Sequence, residues 1–229
     1  NHLIDRKIDV VMKRTHNRPI PQGRVDPLQA GIFAAVIGLA GMAIMITWVN
    51  PLSAWLTLAS FIGYAFIYTG YLKHATPQNI VIGGLAGAMP PLLGWSAVTG
   101  TIEADAVVLV LIIFAWTPPH FWALAIHRKE EYAESGIPML PVTHGERVTK
   151  IHILVYTAIL VLFSVFPSLI GNSSLFYLAA AVALGAGFLY WSVKLMHKPK
   201  PSTAMDTFRY SIVYLALIFI ALVVDHYMF

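Results

Sequence analysis

Three oxygen-bearing side chains open this chain at a spacing that stacks them. Asn1, Asp5 and Asp9 stand at i, i+4 and i+8, so on a helix they share one stripe. Such oxygens are the donors a hard cation prefers, and Mg²⁺ is typically held by one or two carboxylates together with substrate phosphates and water. Basic residues follow at once in Lys13, Arg14, Arg18 and Arg24, and guanidinium forks match phosphate oxygens two at a time. A second mixed cluster, His127-Arg128-Lys129-Glu130-Glu131-Tyr132-Ala133-Glu134, lies far along the chain. Asn1, Asp5, Asp9, Glu130 and Glu131 are therefore candidates to hold Mg²⁺ from two sides of one diphosphate, as metal sites clamp a leaving oxygen. Asn1, Lys13, Arg14, Arg18, Lys73, His74 and Arg128 are candidates for its phosphates.

Each group also has a plainer reading. Asp9 and Lys13 form an i, i+4 pair of the kind found on solvated helix faces. Arginines and lysines flank membrane spans in general, and Lys73 at the end of a span can be a snorkelling side chain. His120 stands apart because it falls well inside an apolar run, in Trp116-Thr117-Pro118-Pro119-His120-Phe121-Trp122. Intramembrane ionisable groups are functional candidates by default. His120, Trp116 and Trp122 are accordingly candidate contacts for a planar aromatic acceptor, while the rival role for the histidine is a hydrogen bond to a carbonyl freed by the proline pair.

The elements that must position these groups are apolar. Of 229 residues, 58% are hydrophobic and 11% charged, against about 25% charged in an average soluble domain. Runs over 27–48, 51–69, 79–98, 105–126, 151–170, 174–196 and 207–227 are each long enough to cross a bilayer. The expected fold is all-α, a polytopic transmembrane bundle of seven spans in a single domain over 1–229, with 127–150 as its one long internal loop. If the spans alternate, all 15 Lys and Arg fall on one side, in 1–26, 70–78, 127–150 and 194–209. That asymmetry is the positive-inside signal and places both acidic clusters at the cytoplasmic face or its equivalent. Orientation and anionic headgroups then account for the pI of about 9.3 without a nucleic-acid partner. The absence of Asp, Glu, Lys or Arg from the middle of any span argues against an ion channel or proton pump. The absence of cysteine removes disulfides, Fe–S clusters and thiolate metal sites.

The pattern Asn1-x3-Asp5-x3-Asp9, followed by Lys13-Arg14-Thr15-x2-Arg18-Pro19, resembles the first aspartate-rich motif of the UbiA-type intramembrane prenyltransferases. Within them, Leu72-Lys73, Thr76-Pro77-Gln78-Asn79-Ile80, Gly83-Gly84, Gly87-Ala88-Met89-Pro90-Pro91, the Trp116 to Ile126 stretch and Pro138-Met139-Leu140-Pro141-Val142 resemble the haem O synthases. The resemblance implies a nine-helix enzyme, of which this chain would lack the first helix and most of the second, in keeping with its start in a polar stretch without Met. It implies transfer of a farnesyl group from farnesyl diphosphate to a vinyl group of haem B, with Mg²⁺ as cofactor and a haem O-modifying enzyme as a further partner. Asp5, Asp9, Lys73 and Glu131 would carry the catalysis in a bacterial plasma membrane or mitochondrial inner membrane. Three positions depart from the family pattern: His2 replaces an Asp of the wider superfamily, His74 an Arg, and Glu131 an Asp. The alternatives are prenylation of a quinone or other aromatic acceptor, and a non-catalytic haem or lipid carrier that needs no Mg²⁺.

Overall fold

The computed structural model describes residues 2–10, 15–72, 75–197 and 200–228, and contains helices and turns with no strand among them. A single helical turn, α1 (Arg6–Asp9), precedes the bundle. Then come α2 (Pro27–Ile44), continued by a π-helical turn Met45–Val49, and α3 (Pro51–Ile62), continued by a π-helical stretch Gly63–Leu72. The pair α4 (Asn79–Ala88) and α5 (Pro90–Thr99) makes one span, and α6 (Ala104–His127) the next. Two short helices, α7 (Lys129–Glu134) and α8 (Leu140–Thr143), lead to α9 (Gly145–Leu169), α10 (Leu175–His197) and α11 (Thr203–Met228). Seven of these helical runs are long and apolar enough to cross a membrane, and this is an integral membrane protein.

Helix starts follow local chemistry. Asp26 accepts hydrogen bonds from Leu28 N and Gln29 N ahead of Pro27, and Asn50 accepts from Ser53 N ahead of Pro51. Each pairs an N-cap with a proline at N1, where the missing N–H costs nothing. Gly100 closes α5 in the left-handed region at φ 71°, a conformation that favours glycine.

Two spans start earlier than hydropathy predicts. α9 begins at Gly145 rather than 151 and α11 at Thr203 rather than 207. The added turn of α9 carries Glu146, Arg147 and Lys150, with Lys150 Nζ 3.3 Å from Glu146. These are helical residues standing out of the apolar layer, and a hydropathy window counts them as loop.

α6 is the hub. More than half of its apolar window is buried, against at most 28% in any other span, and it packs against α4, α5, α9 and α11. In lipid, helices gain little from the hydrophobic effect, so close contact depends on small residues. Ala106, Ala115, Ala123 and Ala125 supply that surface on α6. Across from it, Gly84 of α4 sits so close to Thr117 that a Cβ would come within 2.9 Å of the methyl group. On the far side, Gly185 of α10 meets Val161 of α9 in the same way.

Polar pairs fasten the remaining contacts. Thr157 and Ser192 hydroxyls lie 3.0 Å apart, and Ser164 joins the Tyr214 hydroxyl at 2.7 Å while its carbonyl accepts from the Tyr177 hydroxyl at 2.8 Å. At the end of the bundle away from the basic residues, Asn50 Nδ2 donates to the Ser96 carbonyl at 2.8 Å, and Asn172 donates to Asp105. Asp225, near the end of α11, accepts from Ser174 N at 2.9 Å, Tyr177 N at 3.3 Å and the Ser174 hydroxyl. It caps α10 from another helix and sets a negative charge at the positive end of that helix dipole. Asp225→Ala is expected to cost about 1–2 kcal/mol by orphaning those N–H groups, read as a lower Tm in detergent. Asp225→Asn, which keeps an acceptor oxygen, should lose less.

Candidate active site

A cavity of about 840 Å³ opens between residues 2–9 and 15–18, the π-helical end of the second span, α4 and α6. Its polar mouth is formed by Asp5, Asp9, Thr15 and Arg18, and its walls by Tyr64, Tyr68, Thr69, Trp116, Thr117 and Phe121, with Tyr132, Ile137 and Met139 completing the lining.

Asp5 is 8% exposed and Asp9 3%. The Asp5 carbonyl accepts from Asp9 N at 2.9 Å, which fixes one turn between the two residues. Of the helix on which Asn1, Asp5 and Asp9 would share a stripe, the described residues form only that turn, flanked by further turns. Burial decides against the solvated-face reading, because two carboxylates removed from water in one cavity require compensation. Part of it comes from Arg18, whose Nη1 lies 2.8 Å from Asp9 Oδ2. The Thr15 hydroxyl, donating to the Asp9 carbonyl at 3.2 Å, ties the following turn back onto α1. Two buried carboxylates beside a guanidinium fit a divalent cation whose coordination is completed by phosphate oxygens, the usual arrangement for Mg²⁺.

The expected residues are only partly brought together. Asp5, Asp9 and Arg18 share the mouth. Asn1, Lys13, Arg14, Lys73 and His74 lie outside the described residues. The second acidic cluster does not reach the cavity wall. On α7, Glu130 is exposed and Glu131 half-buried, Arg128 is half-buried just before it, and only Tyr132 of that stretch lines the cavity. Lys129 reaches to Glu146 at 3.8 Å instead. Accordingly, no group of three or more His, Asp or Glu among the described residues is arranged to hold a metal ion.

The aromatic candidates divide. Trp116 lines the cavity, and its indole N–H donates to the Ser211 carbonyl of α11 at 2.7 Å. Trp122 is a correction to the expected acceptor contacts. Its ring is fully buried, edge-on to His152 and Tyr156 of α9, because that face of α6 turns to the bundle core. His120 does not bond a carbonyl freed by Pro118 and Pro119; its Nδ1 pairs with the Ser211 hydroxyl at 2.6 Å.

Several lining residues were not singled out from sequence. Tyr64, Tyr68 and Thr69 belong to the π-helical stretch, where the wider turn stacks Tyr64 on Tyr68 with centroids 5.4 Å apart. π-helical turns are rare and concentrate at functional sites, but periodicity read at 3.6 residues does not reveal them. Gly83 carried the one available signal. A Cβ there would coincide with the Tyr68 ring, so the glycine makes room for a cavity-lining side chain as well as for helix packing.

Comparison with known proteins gives the family. The family model described as the UbiA prenyltransferase family matches residues 1–223. Protoheme IX farnesyltransferase of Saccharophagus degradans is 63% identical over 228 residues, covering 100% of this chain and 75% of that protein. Protoheme IX farnesyltransferase 1 of Pseudomonas fluorescens is 64% identical, covering 100% and 76%. A solved structure of digeranylgeranylglyceryl phosphate synthase superposes with a TM-score of 0.83 over 98% of this chain and 78% of that one, at 19% identity, a likeness of fold. On these grounds the chain belongs to the UbiA prenyltransferase family.

Proposed function

We infer that this chain transfers the farnesyl group of farnesyl diphosphate to a vinyl group of haem B, the protohaem IX of its relatives' name, to give haem O. The observation that carries the reading is the pair of buried carboxylates, Asp5 and Asp9, at the polar mouth of a largely apolar cavity. A diphosphate belongs at such a mouth and an isoprenoid chain behind it. The basic ends of the spans face the cytoplasm of a bacterial plasma membrane, or the equivalent matrix side.

Asp5 and Asp9, with Asn1 completing the stripe, would hold Mg²⁺ on the diphosphate. The ion would supply positive charge against the phosphate oxygens. Arg18, held at 2.8 Å on Asp9, offers a guanidinium to the same oxygens, and Lys13, Arg14, Lys73, His74 and Arg128 are the further residues proposed to bind them. Glu130 and Glu131 do not line the cavity and would serve the diphosphate only if α7 moved toward the mouth. As the allylic C–O bond breaks, negative charge grows on the departing diphosphate, and cations fixed in place beforehand lower that barrier. The faces of Tyr64, Tyr68 and Trp116 shelter the cationic carbon chain. A vinyl carbon of haem attacks the allylic carbon. Water adds to the cation left beside the porphyrin and loses a proton, so no protein nucleophile is consumed.

In full-length protein supplied with haem B and farnesyl diphosphate, chromatography and mass spectrometry should show a Mg²⁺-dependent gain of farnesyl plus water. Asp5→Asn should lower turnover on the order of 10²-fold or more with the circular dichroism spectrum unchanged. Unaltered turnover in that variant would remove the metal role. A farnesylated quinone in place of a modified haem would redirect the acceptor. Gly83→Ala should overpack the wall at a cost of about 1–3 kcal/mol. Its signature is a raised KM for farnesyl diphosphate as Tyr68 is driven into the chain-binding space.

A further inference from the structure

A second hollow, a groove of about 510 Å³, lies between α6 and α11, with Ile113, Trp116 and His120 on one wall and Phe208, Ile212 and Phe219 on the other. His120 is its one titratable lining residue and is only 7% exposed. Both faces of its ring are covered. Trp116 stacks on it at 4.1 Å and 21°, Phe208 at 4.4 Å and 28°, and Phe121 stands perpendicular at 4.9 Å. What remains of the imidazole is its edge.

The hydrogen bonds determine what that edge offers. Ser211 Oγ lies 2.6 Å from His120 Nδ1 and donates to the Phe208 carbonyl at 2.6 Å. A hydroxyl has one proton and a carbonyl has none to give, so the serine proton is committed to Phe208 and Nδ1 carries the hydrogen of the imidazole pair. No carboxylate lines the groove to balance a second proton on the ring. Nε2 therefore holds a lone pair, in the plane of a ring clamped from both sides. Among the described residues it meets no donor. An imidazole whose Nδ1–H is engaged by an oriented partner, and whose Nε2 is free, is the arrangement metal-ligating histidines show.

The groove otherwise presents apolar walls. Such walls suit a large, planar macrocycle with an apolar face and one electron-pair acceptor at its centre, as in an iron porphyrin whose propionates point out of the groove, and imidazole suits iron. Ile113 and Trp116 line both the groove and the cavity, so a macrocycle in the groove abuts the space where the allylic carbon lies.

We propose that the groove between α6 and α11 is where the acceptor haem sits, held by coordination of its iron to His120 Nε2. The proposal rests on the reading of the chain as a haem-farnesylating enzyme and specifies how that substrate is held.

The test uses full-length protein in lipid nanodiscs, with haem B and metal-free protoporphyrin IX as paired probes. Wild-type protein should bind haem B at least about tenfold more tightly than the metal-free porphyrin, with a nitrogen-ligated Soret and resonance Raman signature. His120→Ala should bring the two affinities together while leaving the metal-free affinity within about twofold of wild type, and added imidazole should restore the signature in His120→Gly. A nitrogen-ligated spectrum that survives in His120→Ala, a wild-type protein that binds both porphyrins equally, or equal losses for both in the variant would overturn the assignment. Farnesyl transfer by the same wild-type sample separates the two ideas. Transfer without the affinity difference ends the ligation proposal and keeps the function. Ligation without any transfer keeps the groove and ends the farnesyltransferase reading.

Discussion

Close approach to one helix governs this molecule. In a bilayer, two apolar surfaces gain little by meeting, because lipid tails solvate them as well as protein does. What holds helices together is dispersion over short distances and hydrogen bonds where geometry allows. α6 meets that requirement with alanines along its buried faces, and α4 answers with Gly84 against Thr117. Four helices gather on α6, and the cavity and the groove lie where that packing is incomplete. Tyr68 over Gly83 keeps one open, and the Trp116, His120 and Phe208 stack borders the other.

Charge follows the same economy. Among the described residues, acids near the middle of the structure's polar end are not scattered; Asp5 and Asp9 lie a turn apart, with Arg18 against the second. A paired buried carboxylate is tolerable where a lone one is not, and an arginine at that position also remains available to phosphate oxygens. At the opposite end, Asp105 and Asp225 are occupied in holding Asn172, Ser174 and Tyr177. One end of the bundle sets its carboxylates at a cavity mouth, and at the other Asp225 caps a helix N-terminus while Asp105 holds an asparagine side chain.

Hydropathy made the spans legible because a bilayer imposes length and composition on any helix that crosses it. The boundary misses at Gly145 and Thr203 arise where helices leave the apolar layer and carry Glu146, Arg147 and Lys150 into the polar region. Of the site, the i, i+4 aspartates could be read because a helical turn is a local property. The distance of Glu130 and Glu131 from the cavity could not, since it depends on how α7 turns after α6. Trp122 and Trp116 are six positions apart in one motif and meet different neighbours, from α9 and from α11. The partner of His120, Ser211, lies 91 residues away and leaves no local trace. The π-helical register of Gly63–Leu72 is hidden for a different reason, because its side chains satisfy a helical pattern either way.

Trp116 forms a wall common to the cavity and the groove, and its indole is pinned to the Ser211 carbonyl that belongs to the helix across the groove. A partition shared by two compartments cannot shift for one without shifting for the other. Thermodynamic reciprocity then applies: if filling the cavity moves the indole and changes affinity in the groove by some factor, filling the groove changes affinity in the cavity by that same factor. Coupling between the two compartments thereby runs through a single side chain and has the same size whichever molecule arrives first.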